Sequence, residues 1–164
     1  LAEIIPSMAI EEATDKILGI EDRRSRENMQ IMFAEDSTII RNRLVRILRD
    51  SGFSNVKAFT NGKDAYDALS AINGKAESKG SRPDDLPHVI VSDIEMPRMD
   101  GLTLCRKIKG DAGLKQIPFI IFSSLINEQM VLKCKSVGAD SYITKPETNK
   151  LVSILDEICL QSRT

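Results

Sequence analysis

Five short runs of apolar, β-branched or aromatic residues recur along the chain, at 31–34, 56–59, 89–91, 119–122 and 141–144. Each is followed by a stretch with helical apolar spacing. These stretches carry Ile40, Leu44, Ile47 and Leu48; Ala65, Ala68, Leu69 and Ile72; Cys105 and Ile108; Met130, Cys134 and Val137; and Leu151, Ile154, Leu155 and Ile158. Runs this short and this apolar suit strands buried on both faces. Strands alternating with helices predict an α/β fold of three layers around a doubly wound, five-stranded parallel sheet. One common strand order for such a sheet is 2-1-3-4-5, with a ligand crevice at the carboxyl ends of strands 1 and 3.

The chain ends of these predicted strands carry the chemistry. Glu35 and Asp36 follow the first run, Ser92 and Asp93 the third, Ser123 and Ser124 the fourth, and Lys145 and Pro146 the fifth. If the strand order holds, Glu35, Asp36 and Asp93 converge in one crevice, with Ser123 and Lys145 opposite. Three converging carboxylates repel one another unless a cation is shared among them. A hard divalent ion with oxygen ligands fits, and Mg2+ is the expected one. A lysine facing such a site suits a ligand with its own negative charge, such as a phosphoryl group, and the central Asp93 is the natural carboxylate nucleophile. Taken singly, each of these residues reads otherwise. The acidic pair would favour a helix N-terminus, Lys145 would be a solvated lysine, Ser123 a strand-end hydroxyl and Tyr142 a half-buried strand residue. Their joint order at strand ends is what selects the site.

Composition removes several other classes. The 164 residues, 41% apolar and 29% charged, allow one domain with a real core. A net charge of −1, with basic and acidic residues interspersed, gives no nucleic-acid surface. No apolar run approaches a membrane span and no signal peptide is visible, so no membrane insertion and a cytoplasmic location are expected. Cys105, Cys134 and Cys159 lack metal-ligand spacing and read as buried free thiols. His88 is the single histidine, which makes a Ser-His-Asp triad improbable, and it reads as a strand-edge residue without a catalytic role. No junction carries the glycine pattern of a nucleotide phosphate loop.

Residues 1–28 read as a short helix and charged linker from a preceding domain, and residues 29–164 as the domain itself. Leu1 in place of methionine suggests an excised piece. Residues 73–87 are rich in turn formers and read as a long exposed loop. No DNA-binding region is expected after the last helix.

The run Asp93-Ile-Glu-Met-Pro-Arg-Met-Asp-Gly101, with Glu35-Asp36 before it and Ser123 and Tyr142-Ile-Thr-Lys145-Pro146 after it, resembles the receiver domain of bacterial response regulators over about residues 29–160. The resemblance implies the flavodoxin-like form of the fold. It implies that Asp93 accepts a phosphoryl group from a phosphohistidine on a partner histidine kinase. Asp36, Asp93 and the backbone carbonyl of Glu95 would hold Mg2+, with Glu35 acting through water. Lys145 and Ser123 would bind the phosphoryl oxygens, and Ser123 and Tyr142 would switch conformation. Such a domain is no enzyme in the ordinary sense, catalysing only its own phosphorylation and dephosphorylation. The wording Asp-Ile-Glu-Met-Pro, the 73–87 stretch and the linker-like start resemble a CheV-type chemotaxis coupling protein. That implies a chemotaxis kinase as partner and a CheW-like domain in the parent chain. The acidic Glu95 and apolar Leu125 depart from the commonest family pattern and leave the phosphoryl lifetime open.

Two other functions stand beside this one. A haloacid-dehalogenase-like phosphatase also uses a strand-end aspartate, but it wants a second aspartate two residues on, where this chain has Glu95, and a late acidic pair, which here comes early. A phosphorylation-independent docking module would keep the fold without the chemistry.

Overall fold

The computed structural model describes residues 25–79, 85–124 and 126–161. Five parallel strands, β1 (Ile31–Ala34), β2 (Val56–Phe59), β3 (Val89–Ser92), β4 (Phe119–Ser123) and β5 (Ser141–Thr144), form one sheet in the order β2-β1-β3-β4-β5. Five helices connect and follow them: α1 (Thr38–Asp50), α2 (Gly62–Lys79), α3 (Gly101–Lys109), α4 (Glu128–Ser136) and α5 (Thr148–Gln161). The expected fold class and strand order are both present.

Period-two alternation along the strands splits the core in two. Ile31, Phe33, Val89, Val91, Ile120 and Phe122 pack on one face with Leu44 and Leu48 of α1 and Leu151 and Leu155 of α5. Met32, Ala34, Ile90, Phe119 and Ile121 face the other way, against Ala65 and Leu69 of α2, Leu104 and Ile108 of α3 and Cys134 of α4. Covering both faces is why β1, β3 and β4 are buried at every position. The edge strands β2 and β5 are only partly covered, and Lys57 and Tyr142 lie exposed on them. A lysine on an edge strand disfavours pairing with another chain.

Helix starts are set by local chemistry. Ser37, Asp100 and Asn127 N-cap α1, α3 and α4, each accepting a backbone N–H from three residues on. The polar stretch 73–87 is not wholly a loop, because α2 runs on to Lys79. Asn73, the first residue of that stretch, is tied to the loop after α3. The side chain is 8% exposed, its Nδ2 donates to Asp111 Oδ1 at 3.3 Å, and it packs so closely on Gly113 that a Cβ there would lie 2.3 Å from its Oδ1. Gly74 faces open space and costs the helix only its propensity.

The apolar stripe expected on α1 is also shorter than its spacing suggests. Leu44 and Leu48 are buried, whereas Ile40 is 39% and its neighbour Ile39 82% exposed. The first turn of α1 stands beside the β5–α5 connection, with a groove of about 230 Å³ between Ile39, Ile40, Lys145 and Pro146.

Of the expected linker, residues 1–24 lie outside the described residues. Residues 25–28 form a helical turn. Its Arg26 donates through Nε and Nη2 to both oxygens of Asp156 on α5, at 2.9 and 2.7 Å, and through Nη1 to Ser51 O at 2.7 Å.

Candidate functional site

The sheet ladder carries the acids to its carboxyl edge. One residue past β1, Glu35 N donates to Phe59 O at 3.0 Å, and one residue past β3, Asp93 N donates to Ala34 O at 3.0 Å. On the other side, Lys145 N donates to Ser123 O at 3.0 Å. Each of these backbones is therefore an extension of a strand, fully buried for Glu35 and Asp93 and at the sheet edge for Lys145, which fixes it more firmly than a free loop would. The Lys145–Pro146 peptide is cis.

Asp93 is held at both carboxylate oxygens. Oδ1 accepts the N–H of Ile94 at 2.8 Å, and Oδ2 lies 3.2 Å from Lys145 Nζ. The loop after it folds back tightly, with Gly101 N donating to Ile94 O at 2.8 Å. A Cβ on Gly101 would sit 1.9 Å from the Asp93 carbonyl oxygen, so only glycine allows this return.

Lys145 also reaches Glu35 Oε1 at 3.1 Å and lies 6.0 Å from the centre of the Phe122 ring. Its side chain is 13% exposed and that of Glu35 only 1%. Glu35 Oε2 is buried with no hydrogen-bond partner among the described residues. Burial, then contact with the Asp93 carboxylate and its charge, push the Glu35 carboxyl up to about 7, against a smaller downward pull from Lys145. Ligand atoms of Glu35, Asp36 and Asp93 all lie within 4.8 Å of one another. An orphaned carboxylate oxygen in an all-oxygen, triply acidic cluster fits a hard divalent cation such as Mg2+, which would draw on Asp36 and Asp93 with Glu35 behind them.

The remaining expected residues are placed differently. Ser123 closes β4 and is 1% exposed. It lies in register with Thr144, the residue before Lys145. It lies two residues beyond Ile121, the partner of Ser92 and the last of the β3–β4 pairing. Glu95 lies exposed on the β3–α3 loop. Tyr142 stays on the outer edge strand, 37% exposed. Leu125 lies outside the described residues. His88 sits at the opposite, amino end of the sheet, where its Nδ1 accepts Gln30 N at 2.9 Å and its own N donates to Gln30 O at 2.8 Å. The three cysteines are buried, and burial pushes the Cys105 thiol up to about 12.

Polar contacts of two residues at the site do not show in the sequence. Arg41 Nη1 donates to Glu35 O at 2.9 Å and to Asp36 O at 3.3 Å. Ser92 Oγ donates to Asp93 O at 2.8 Å. The available signal for Arg41 was a cation one helical turn after an acidic pair, at a distance from which a long side chain folds back.

Known proteins resemble this chain in sequence and in fold. PilG of Pseudomonas aeruginosa is 32% identical over 120 residues, covering 73% of this chain and 78% of PilG. The chemotaxis protein CheY1 of Helicobacter pylori is 27% identical, over 80% of this chain and 97% of its own. The osmosensing histidine protein kinase SLN1 of Saccharomyces cerevisiae is 24% identical over 85% of this chain, which spans only 11% of SLN1. Among solved structures, the receiver domain of a histidine kinase from Syntrophus aciditrophicus superposes with a TM-score of 0.65 at 30% identity, over 82% of this chain and 91% of that one. The receiver domain of the Arabidopsis thaliana histidine kinase CKI1, complexed with Mg2+ and BeF3-, gives 0.69 at 24% identity, over 82% and 94%, and so shares the fold. The sequence profile of the response regulator receiver domain fits residues 31–156, and with the acidic crevice and its bridging lysine in place the chain belongs to that family.

Proposed function

We propose that this domain takes a phosphoryl group from a phosphohistidine of a histidine kinase onto Asp93 and passes the event to a protein-interaction surface. The observation that carries this reading is the position of Lys145, whose Nζ is 3.2 Å from Asp93 Oδ2 and 3.1 Å from Glu35 Oε1. Asp93 is thereby held against a cation that also touches Glu35, with Asp36 in the same cluster.

In the proposed step a carboxylate oxygen of Asp93 forms the new O–P bond. The N–P bond breaks, and the imidazole leaves with the electron pair and is protonated. Bound Mg2+ would supply positive charge against the phosphoryl oxygens, held by Asp36, Asp93 and the carbonyl of Glu95, with Glu35 contributing through water. Lys145 neutralises the charge that the phosphoryl group brings, and the Ser123 hydroxyl donates to it. Because the ladder fixes Asp93 and Lys145 before any donor arrives, little ordering remains for the reaction itself. Movement of Ser123 towards the phosphoryl group would be read out at Tyr142, on the neighbouring strand.

The relatives named as chemotaxis proteins support a chemotaxis kinase as donor and a cytoplasmic setting. A CheW-like domain upstream, as in CheV-type proteins, is tested directly by the parent reading frame. The phosphorylation itself is tested with acetyl phosphate and Mg2+, and with a cognate kinase. The expected product is a hydroxylamine-sensitive acyl phosphate, lost in Asp93→Asn and on chelation. Absence of label from both donors would overturn the proposal in favour of a docking module that keeps the fold alone.

A further inference from the structure

We infer that Arg41 is a positioning residue for the acidic pocket, aligning Glu35 and Asp36 through their main-chain carbonyls; the inference rests on the Mg2+ reading of that pocket. Arg41 is the fourth residue of α1, and it is electrostatically out of place there. Its charge lies at the positive end of a helix whose first turn holds no acid. A conflict of this kind between local preference and observed sequence points to a compensating role.

The role is visible in its contacts. Nη1 donates to Glu35 O at 2.9 Å and to Asp36 O at 3.3 Å, while Nη2 donates to Thr38 Oγ1 at 3.4 Å. The planar fork thus spans the whole β1–α1 turn, from the last ladder residue to the first residue of the helix. Glu35 is already fixed by its N–H bond to Phe59 O. Asp36 has no ladder partner of that kind among the bonds described, and it is the exposed member of the triad. A turn held at both of its carbonyls keeps the Asp36 carboxylate within reach of Asp93, which a cation needs if it is to bind both.

Charge and geometry make opposite predictions, so the two can be separated. A guanidinium near a dication site repels the dication. If Arg41 acted through charge alone, removing it would tighten Mg2+ binding. If it acts by positioning, removal loosens binding despite the relieved repulsion. A lysine keeps the charge but ends in one nitrogen, so it cannot hold the two carbonyls from one nitrogen and the Thr38 hydroxyl from a second, and it should not rescue.

The test measures Mg2+ affinity by titration calorimetry for the wild type, Arg41→Met, Arg41→Lys and a control, Arg43→Met, on the same helix. Amide hydrogen exchange at residues 36–40 is followed in parallel in metal-free protein. We expect Arg41→Met and Arg41→Lys each to lose about tenfold in affinity. Exchange at 36–40 should quicken in both while the rest of the sheet stays protected, and Arg43→Met should stay near the wild type. Affinity in Arg41→Met equal to or tighter than the wild type overturns the inference, as does an equal change in Arg43→Met. Loss of protection throughout the sheet would make Arg41 a general stabilising residue and overturn it too. A wild type that binds no Mg2+ fails the reading of the pocket instead, and the quickened exchange at 36–40 still tests the hold of Arg41 on the turn.

Discussion

Lys145 and Glu35, 110 residues apart in sequence, meet at 3.1 Å beneath the carboxyl edge of the sheet, and the same ammonium reaches Asp93 at 3.2 Å. One cation therefore serves two carboxylates, one of them almost wholly buried. The arrangement is short of positive charge. That shortage is a stability cost the fold carries for a site that must accept a cation and an anion together.

Changing either partner should move Glu35 in opposite directions. Lys145→Met removes the group that lowers its pKa, leaving burial and Asp93 to raise it further; Asp93→Asn removes two of the three raising causes and should bring it back towards the ordinary range. A side-chain carboxyl NMR titration reads both. Lys145→Met should also cost about 2–4 kcal/mol of stability at pH 8, because it strands buried charge, and less at pH 5, where Glu35 takes up a proton. Shifts of the same sign in the two variants would refute this account of the crevice.

The raised Glu35 pKa makes metal-free stability depend on pH in a defined sense. Its folded value of about 7 lies above the ordinary 4.5. Between those values the folded state holds more proton than the unfolded one, so stability is full below about pH 4.5 and is lost as pH rises through 7. At 1.36 kcal/mol per unit the span is on the order of 3 kcal/mol, from this one group. Mg2+ competes with that proton, so its affinity should climb across the same interval with proton release. Urea melts in EDTA at pH 5 and pH 8, and Mg2+ calorimetry in buffers of different ionisation enthalpy, measure the two halves. A metal-free protein whose stability gains from Glu35 on going from pH 5 to pH 8 would contradict the sign.

The sequence already carried most of this fold, because strands buried on both faces leave a pattern of unbroken apolar runs, and the site because its residues sit where those runs end. What it did not carry was set by contacts between distant residues. The stretch from Asn73 looks like a loop by composition, yet the helix runs on to Lys79, and Asn73 is pinned to Asp111 and packed on Gly113. Spacing puts Ile40 on a buried stripe, but α1 starts beside the β5–α5 connection, and its first turn meets the groove there. Arg41 and Ser92 act on main-chain carbonyls, and a residue type at one position does not announce which carbonyl it will reach. Gly101 stood in the sequence only as the end of the run that begins at Asp93. That a Cβ there would strike the carbonyl of Asp93 was not legible from it.

Arg26 shows the same limit at the start of the domain, and its contacts permit a direct prediction. It reads as one charge in a linker, yet its guanidinium takes both oxygens of Asp156 and the carbonyl of Ser51, the C-cap of α1, and lies 5.2 Å from the centre of the Phe53 ring. It thus ties α1 to α5, the two helices on one face of the sheet. The Asp156 bridge alone, with side chains 26% and 37% exposed, contributes little in water. The charge-assisted bond to a carbonyl and the contact with a buried ring add to it, so Arg26→Ala should cost about 1–2 kcal/mol. Asp156→Asn, which leaves the carbonyl and ring contacts in place, should cost less than half as much. Denaturant melts of both variants check the ranking, and amide exchange should quicken first at the C-terminal end of α1. Equal losses in the two variants would assign the tie to the ion pair instead.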